Sequence, residues 1–592
     1  MADGKIVRIG GASAGIGDGT MATPQLIRSG AIDYVMLDYL SEYFMPIAGR
    51  ARRQNPDAGY VPYFPDELFA SVLPDMLANR VRMVTNAGAV NPRACGAAMQ
   101  AAAARLGLAV KIAVIDGDDL LDRADAFRAA GRLSESLPPN GYTGINAYVG
   151  GFPIARALAM GADVVVTGRV VDSALALGPL IHEFGWGPGD YDLLAAGSLV
   201  GHILECGAQA SGGLFTDWRE IEDYSNIGYP IAECAADGTA VITKPVGTGG
   251  LVSVGGVAEQ MLYEIGDPRA YLLPDVILDF SEVRFEQLGE NRVRMSGAKG
   301  RAPGPDYKAI ATWDDGFFAN WVFPMRGQDA GDKARAIASS VLKRSAGMLA
   351  ERGLSPLRRT RVDVVGNEDS YGAQARVINS REVYCRVAIE AAEEAAFPLI
   401  FREQGTGSVS MAPGIAVSRM MVFTTPLARS ESFLLPAEEV PVTVTLGEHS
   451  EVVARAAPAS AAPLAAPPEP PSPNAPTDRS VRLGALAWAR SGDKGDICNI
   501  GLIARRPEYL PYIAAALDAG TMARFYAHMF EHGAGRVDRY YLPGSNALNF
   551  MLHDALDGGC TVSMRFDPLG KSAAQEILDF EVPIPTALAP VV

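Results

Sequence analysis

Short apolar runs alternate with helix-like segments along the first 170 residues of the chain. The apolar runs have the length of strands, and they lie at residues 5–9, 32–37, 81–84, 110–115 and 164–166. Segments with helical character lie between them, at residues 66–78, 93–106 and 153–160. Strands that alternate with helices are typical of a parallel sheet covered on both faces. The pattern therefore predicts an α/β fold, with a mostly parallel, doubly wound N-terminal body.

The pattern changes twice farther along the chain. Beyond a lobe boundary near residue 260, the stretches 275–283 and 362–365 read as strands, while 334–345 and 381–396 read as helices. This order predicts a second α+β lobe within the body.

A run rich in proline and alanine, residues 456–477, then favours an extended or disordered tether. We expect a body over 1–455, a disordered linker over 456–478 and a small ferredoxin-like α+β domain over 479–592.

Composition narrows the function classes. The net charge is -16, with 48% hydrophobic and 20% charged residues. Such a balance is globular, and the negative charge disfavours nucleic acid as a partner. We find no signal peptide, no apolar stretch of membrane-spanning length, and no C-x-x-C or H-E-x-x-H motif. The expected protein is cytoplasmic, with no membrane partner and no metal site.

Polar side chains follow several of the predicted strands. Asp18, Asn86 and Asn91 do so in the first half of the sheet, and Arg169 and Asp172 follow its last run. The carboxyl ends of parallel strands share one edge of a sheet, where open α/β folds bind ligands. We expect these five residues to bind substrate. Arg169 suits a carboxylate or phosphate, although Asp172 is equally well explained as its structural partner.

Two glycine loops are candidates for anion binding. Gly15 and Gly17 belong to a loop that resembles the opening of a short-chain dehydrogenase, but the Tyr-x-x-x-Lys pair of those enzymes is missing. The backbone N–H groups of this loop could still hold a phosphate or carboxylate. Lys244 and Gly249 form a second loop, which offers a cation and is alternatively a tight structural turn.

His202 and Glu205 are spaced three residues apart, so that a helix would place them on one side. They could act as an acid/base pair, and the alternative is an ordinary pair on a helix surface. Cys206 follows directly, without a visible electropositive environment, and we interpret it as an inert thiol.

The densest group of charged residues lies in the C-terminal domain. Asp493, Lys494 and Asp496 occupy one loop after a predicted strand, and Asn499 follows them. Two carboxylates and an ammonium group could orient water or move a proton. The alternative is a solvated turn. We expect the three charged residues, with His202 and Glu205, to be catalytic, and Asn499 to bind substrate.

Long motifs in both parts of the chain resemble one protein family. They are GGASAGIGDG from Gly10, TNAGAVNPRACG from Thr85, TGRVVDSALALGPL from Thr167, HILECGAQASGG from His202, ARSGDKGDICNIGL from Ala489 and LPGSNALNF from Leu542. Together they are similar to the acyclic terpene utilisation AtuA family and its C-terminal ferredoxin-like module. Asn546, in the last motif, is added to the expected substrate-binding residues.

The resemblance implies a role in citronellol and geraniol breakdown, a route that proceeds through acyl-CoA thioesters. From the residue chemistry we expect a hydratase or lyase that acts on a branched acyl-CoA or related carboxylate without a cofactor. The alternative is an accessory subunit that binds acyl-CoA without catalysis. We also expect a homo-oligomer.

Overall fold

The computed structural model describes residues 4–134, 138, 140–416, 422–456, 464, 467–530 and 535–590. The strands before residue 456 are β1 Ile6–Ala14, β2 Tyr34–Asp38, β3 Arg82–Thr85, β4 Ile112–Asp116, β5 Tyr142–Ala147, β6 Val164–Thr167, β7 Ile231–Ala235, β8 Ala240–Thr243, β9 Tyr271–Leu272, β10 Ile277–Asp279, β11 Arg284–Gly289, β12 Arg292–Ser296, β13 Lys299–Arg301, β14 Asp306–Arg326, β15 Arg359–Val365, β16 Glu382–Ala391, β17 Thr424–Pro436, β18 Thr443–Leu446 and β19 His449–Val452. Those after it are β20 Arg479–Arg482, β21 Ala487–Lys494, β22 Ile497–Ala504, β23 Val537–Leu542, β24 Ala547–Leu552 and β25 Glu581–Ile584.

The α-helices of the described residues fall between these strands. They are α1 Ala22–Arg28, α2 Phe44–Gln54, α3 Ala70–Ala78, α4 Pro92–Arg105, α5 Ala124–Ala129, α6 Phe152–Ala159, α7 Ala174–Phe184, α8 Tyr191–Leu204, α9 Val254–Leu262, α10 Ala330–Glu351, α11 Ala396–Ser410, α12 Leu510–Ala516, α13 Ala519–Phe525 and α14 Ala573–Ile577. A π-helical turn, Phe64–Phe69, leads directly into α3.

The main sheet has eleven strands in the order β11-β12-β8-β7-β1-β2-β3-β6-β4-β18-β19. Its central five strands, β1, β2, β3, β6 and β4, pair in parallel. Antiparallel strands extend both edges. Separate apolar clusters cover the two faces, one including α6, α7 and α8 and the other including α1, α3 and α4. The α/β prediction is confirmed, with the parallel strands at the centre of a mixed sheet.

The second lobe is a separate sheet in the order β15-β16-β14-β17, which α10 and α11 cover. Strand β5 also pairs with β14, so the N-terminal part contributes a strand to this sheet. The chain returns to the main sheet at β11 and β12, and again at β18 and β19. Apart from β5, the strands of this sheet lie between Asp306 and Pro436.

The prediction of a helix over 381–396 is wrong, because residues 382–391 form β16. This strand lies between β14 and β15 and pairs with both. Val383, Cys385, Val387 and Ile389 alternate along it and are buried in the core against α10 and α11. The two-residue period of a strand is therefore present in the sequence, and the helix begins only at Ala396.

The C-terminal domain contains a four-stranded antiparallel sheet in the order β21-β22-β24-β23. Its own helices cover one face. Strands β21 and β22 pack on α9 of the body with the other face. The described residues between 456 and 478 form neither a helix nor a strand. Within the described chain, none of the helices combines the length and apolar character needed to cross a membrane.

Candidate active site

Asp38 and Asn86 are buried polar residues where strands β2 and β3 end. Asp38 closes β2, and its Oδ1 accepts hydrogen bonds from Nδ2 of Asn86 at 2.5 Å and from the backbone N–H of Leu40 at 3.2 Å. Burial raises the pKa of Asp38 well above its usual value, and the negative charge of Asp172 raises it further. Asp38 is therefore a carboxyl group that holds its proton far more readily than an exposed aspartate does.

Arg169 follows β6 and faces the same edge of the sheet. Its Nη1 donates to Oδ1 of Asp172 at 2.7 Å, and its guanidinium carbon lies 4.3 Å from the centre of the Tyr148 ring. The side chain is almost completely buried, at 5% exposure. Among the described residues, nothing accepts a hydrogen bond from its Nε. The guanidinium is thus held in place by Asp172 and Tyr148 while one of its N–H groups has no acceptor.

His202 and Glu205 form a buried hydrogen-bonded pair at the end of α8. Nε2 of His202 lies 3.1 Å from the carbonyl oxygen of Met261, and Nδ1 lies 2.8 Å from Oε1 of Glu205. A carbonyl oxygen can only accept, so Nε2 carries the hydrogen. Burial and then the charge of Lys494 lower the pKa of His202 to about 4, so the ring is neutral near pH 7.

The neutral ring fixes the protonation state of Glu205. With its hydrogen on Nε2, the imidazole of His202 has only a lone pair at Nδ1. The contact with Glu205 is then a hydrogen bond only if the carboxyl O–H of Glu205 donates to Nδ1. Burial supports this arrangement, because it raises the pKa of Glu205 well above its usual value. Glu205 is therefore the donor of this hydrogen bond whenever the His202 ring is neutral.

The C-terminal domain adds charged residues to this edge through β21. Nζ of Lys494 lies 5.0 Å from the centre of the Tyr271 ring, which in turn lies 6.0 Å from the His202 ring. Lys494 is exposed, although many protein atoms surround it. Burial by itself lowers the pKa of Lys494, but Tyr271, Glu264 and Glu205 outweigh this effect and raise it. The ammonium ion is therefore permanent near neutral pH.

Asp493 is half-buried beside this lysine. Burial, followed by the negative charge of Glu264, raises the pKa of Asp493 to about 7, while Lys571 opposes the shift. A carboxyl group with this pKa is present in both protonation states near neutral pH, which suits general acid/base catalysis. The junction of body and C-terminal domain thus combines a neutral acid, a group that titrates near pH 7 and two cations.

Two buried asparagines hold the C-terminal domain on the body. Oδ1 of Asn499 accepts from the backbone N–H of Glu264 at 2.9 Å, and its Nδ2 donates to the carbonyl oxygen of Leu262 at 2.7 Å. Nδ2 of Asn549 donates to the carbonyl oxygens of Ile265 and Gly266 at 2.9 and 2.8 Å. We call these two residues the asparagine clamp. It positions Glu264, whose φ of +60° lies in the left-handed region.

Comparison with protein-family models gives two matches, which together cover both parts of the chain. The model "Acyclic terpene utilisation family protein AtuA" matches residues 7–446, and the model "AtuA ferredoxin-like domain" matches residues 481–583. The chain belongs to the AtuA family. Membership gives it a role in acyclic terpene utilisation. No match was found among curated proteins or among solved structures.

Several sequence-predicted residues of this AtuA-family protein lie together, and others have structural roles. His202, Glu205 and Lys494 lie at the junction, close to Asp172. Asp493 lies near Glu264, on the opposite face of β21 from Lys494. Asn86 donates a hydrogen bond to the Asp38 carboxyl group. Asp496 instead holds its own domain, because its Oδ1 accepts from the backbone N–H groups of Leu556 and Gly558. Asn499 belongs to the clamp.

Two further predicted residues lie in local backbone structure. Asn91 caps α4 by accepting from the backbone N–H of Ala94, and it also donates to the carbonyl oxygens of Pro56 and Ala58. Asn546 occupies the turn between β23 and β24 with a φ of +52°. It adjoins Ala504, at the far end of β22 and roughly 20 Å along the strand from Lys494.

Backbone N–H groups of the first glycine loop already donate hydrogen bonds to side chains of the protein. Asp18 accepts from the backbone N–H groups of Ala14 and Gly19, and the N–H of Gly17 donates to the Tyr63 hydroxyl. Gly15 is open on its side-chain face. A carboxylate that already holds these amides leaves little attraction for a second anion.

Lys244, in the second glycine loop, also has a partner within the protein, because its Nζ donates to the carbonyl oxygen of Thr248 at 2.6 Å. Gly249 donates its N–H to the carbonyl oxygen of Asn226. The described residues contain no group of three or more histidine, cysteine, aspartate and glutamate residues arranged to hold a metal ion.

The sequence interpretation missed Glu264, Tyr271 and Tyr148 at the AtuA-family site. Each lies in a loop or at the very start of a short strand, where no regular residue pattern marks it. Asp38 has a usable signal, because it is the last residue of a fully buried strand and lies at the carboxyl edge.

Proposed function

We propose that the protein is an enzyme that moves protons on a branched acyl-CoA or a related carboxylate, in a hydratase or lyase reaction. The family role in terpene utilisation supports a branched substrate. The groups at the junction support the reaction class, because an acid, a titrating carboxyl group and two cations are the parts that such chemistry requires. The reaction needs no redox cofactor.

The buried His202–Glu205 hydrogen bond near Tyr271 and Lys494 is the observation that carries the proposal. In hydration of a conjugated thioester, the oxygen of water bonds to the β-carbon, a base takes a proton from that water, and an acid protonates the α-carbon. Asp493, with a pKa of about 7, suits the base, and Glu205 suits the acid. The reverse reaction, loss of water, uses the same groups in exchanged roles.

The two cations have a separate task in this scheme. Negative charge develops on the thioester carbonyl oxygen when the carbon skeleton becomes an enolate, and fixed positive charge stabilises it. The side chain of Lys494 is exposed, and Arg169 has an N–H without an acceptor among the described residues. The Tyr271 ring lies near both Lys494 and His202.

The test is incubation of the protein in heavy water with a panel of saturated and unsaturated branched acyl-CoAs, followed by mass spectrometry. Gain or loss of water, or uptake of deuterium next to the carbonyl, would support the proposal and identify the substrate. Glu205→Gln keeps the shape but removes the acid, and Lys494→Met removes the cation. Each should lower turnover about 10²- to 10⁴-fold.

Lys343→Met is the matched control for Lys494→Met, because Lys343 is exposed on α10 and lies outside the junction. It should leave turnover unchanged. Unchanged masses across a panel that the protein demonstrably binds would reject catalysis and favour the accessory acyl-CoA-binding role.

A further inference from the structure

A cavity of about 440 Å³ lies where three parts of the chain meet. Helix α2 forms one wall, strands β14, β16 and β17 of the second sheet form another, and residues 560–568 of the C-terminal domain close the third. The volume lies in the range of small-molecule sites, roughly 300–1,000 Å³. The residues at the Glu205–Lys494 junction do not line it, so it is a separate feature of the fold.

The walls of the cavity are largely apolar. Ile47, Phe318 and Leu427 line it from the body. Two aromatic side chains, Tyr43 and Phe566, also line it while remaining 59% and 50% exposed. Large apolar side chains that stay open to solvent around a concave surface are typical of a surface that a ligand covers.

The charge of the lining is the second observation. Three arginines, Arg50, Arg386 and Arg565, line the cavity, and none of the described residues that line it is acidic. This contrasts with the net charge of -16 for the whole chain. Arg386 and Arg565 are only 9% and 6% exposed, so both cations lie in a poorly hydrated setting. Such a setting strengthens attraction to an anion.

The guanidinium groups are held in fixed positions by neighbours outside the cavity. Nη1 of Arg50 donates to Asp314 at 2.6 Å, and Nη1 of Arg386 donates to Asp363 at 2.8 Å. Burial lowers the pKa of Arg386 and outweighs the opposing attraction of Asp363, although an arginine stays protonated. Asp363 also pairs with Arg361, so two guanidinium groups share one carboxylate.

We propose that this cavity binds an organic anion with an apolar body, such as an aliphatic chain that ends in a carboxylate. The apolar walls would hold the chain and the arginines would hold the carboxylate. The inference concerns binding alone, and it stands or falls independently of the catalytic scheme proposed above.

Isothermal titration calorimetry of the full-length protein with octanoate, octanol and acetate tests the proposal. Octanoate should bind. Octanol lacks the charge and acetate lacks the chain, so each should bind at least about tenfold more weakly. Higher salt should weaken octanoate binding, because the attraction is partly electrostatic.

Two variants place the binding in this cavity. Phe566→Asp replaces apolar lining with a competing carboxylate, and Arg50→Gln removes a cation. Each should weaken octanoate binding at least about tenfold. Phe423→Asp is the matched control, because Phe423 is also exposed, at 69%, and does not line the cavity.

The outcomes separate this inference from the proposed function. Glu205→Gln should retain octanoate binding even if it loses turnover. Thermal melts of the two cavity variants confirm that they are folded. Absence of octanoate binding would overturn the proposal, and so would equal binding of octanol, or binding that neither cavity variant weakens.

Discussion

The neutral state of His202 predicts a specific loss of stability in acid. The pKa of the folded-state histidine is about 4, against 6.5 for an unperturbed one, so the unfolded chain binds its proton first as the pH falls. A lowered histidine pKa therefore makes the folded state less stable from about pH 6.5 down to about pH 4. The full shift corresponds to about 3 kcal/mol, at 1.36 kcal/mol per pKa unit.

His202→Gln removes this titration and isolates its contribution. Between pH 7.5 and pH 4.5, the free energy of unfolding of the wild type should fall by about 2.5 kcal/mol more than that of the variant. The measurement is urea unfolding at several pH values, followed by both fluorescence and circular dichroism. Coincidence of the two probes is required, because a chain with several domains need not unfold in one step.

A matched control separates this effect from general acid unfolding. His449→Gln is the control for replacing a histidine with glutamine, because the His449 side chain is exposed, at 66%. Parallel stability curves for the wild type and His202→Gln would refute the reasoning. They would mean that His202 is not held neutral, and the deduction that Glu205 donates a proton to it would fail as well.

Two further predictions concern the contact between the domains, and a third concerns the turn at Asn546. Asn549→Leu leaves two buried carbonyl oxygens without their donor, so the free energy of unfolding, measured with a denaturant, should fall by about 2–6 kcal/mol. A fall below about 0.5 kcal/mol would contradict the role of the asparagine clamp. Gly492→Ala would place the new Cβ 2.5 Å from the Tyr263 ring, so the melting temperature and turnover should both fall. Unchanged values would show that the domain is not docked this closely. Asn546→Gly should leave turnover and stability almost unchanged, because glycine readily adopts the positive φ of this turn; lost turnover would return Asn546 to the site.

The parallel centre of the fold could be predicted because each of its strands is buried on both faces. Such strands appear in the sequence as continuous apolar runs, as in β2, where all five residues are buried. Strand β16 is harder to predict from the sequence, because the glutamates and alanines around residues 390–396 favour a helix when they are considered alone. Pairing with β14 and β15 overrides that local preference.

The candidate site could be predicted in pieces but not as a whole. The spacing of His202 and Glu205 correctly suggests that they face one another, since one helical turn brings them together. The sequence also shows Asp493 and Lys494 as a charged group. Their proximity to Glu205 depends on how the C-terminal sheet docks on α9, and docking arises from close packing at glycines and from the asparagine clamp. No local pattern encodes such a contact.

The C-terminal domain changes the balance of charge at the junction. On the body side, the carboxyl groups of Asp38, Asp172, Glu205 and Glu264 lie near two cations, Arg169 and Lys308. Protons on Asp38 and Glu205 reduce this excess of negative charge, and the ammonium group of Lys494 offsets more of it. Removing Lys494 would therefore also favour further protonation of the nearby carboxyl groups. The domain that supplies the cation thus sets the protonation state of the acids that it meets.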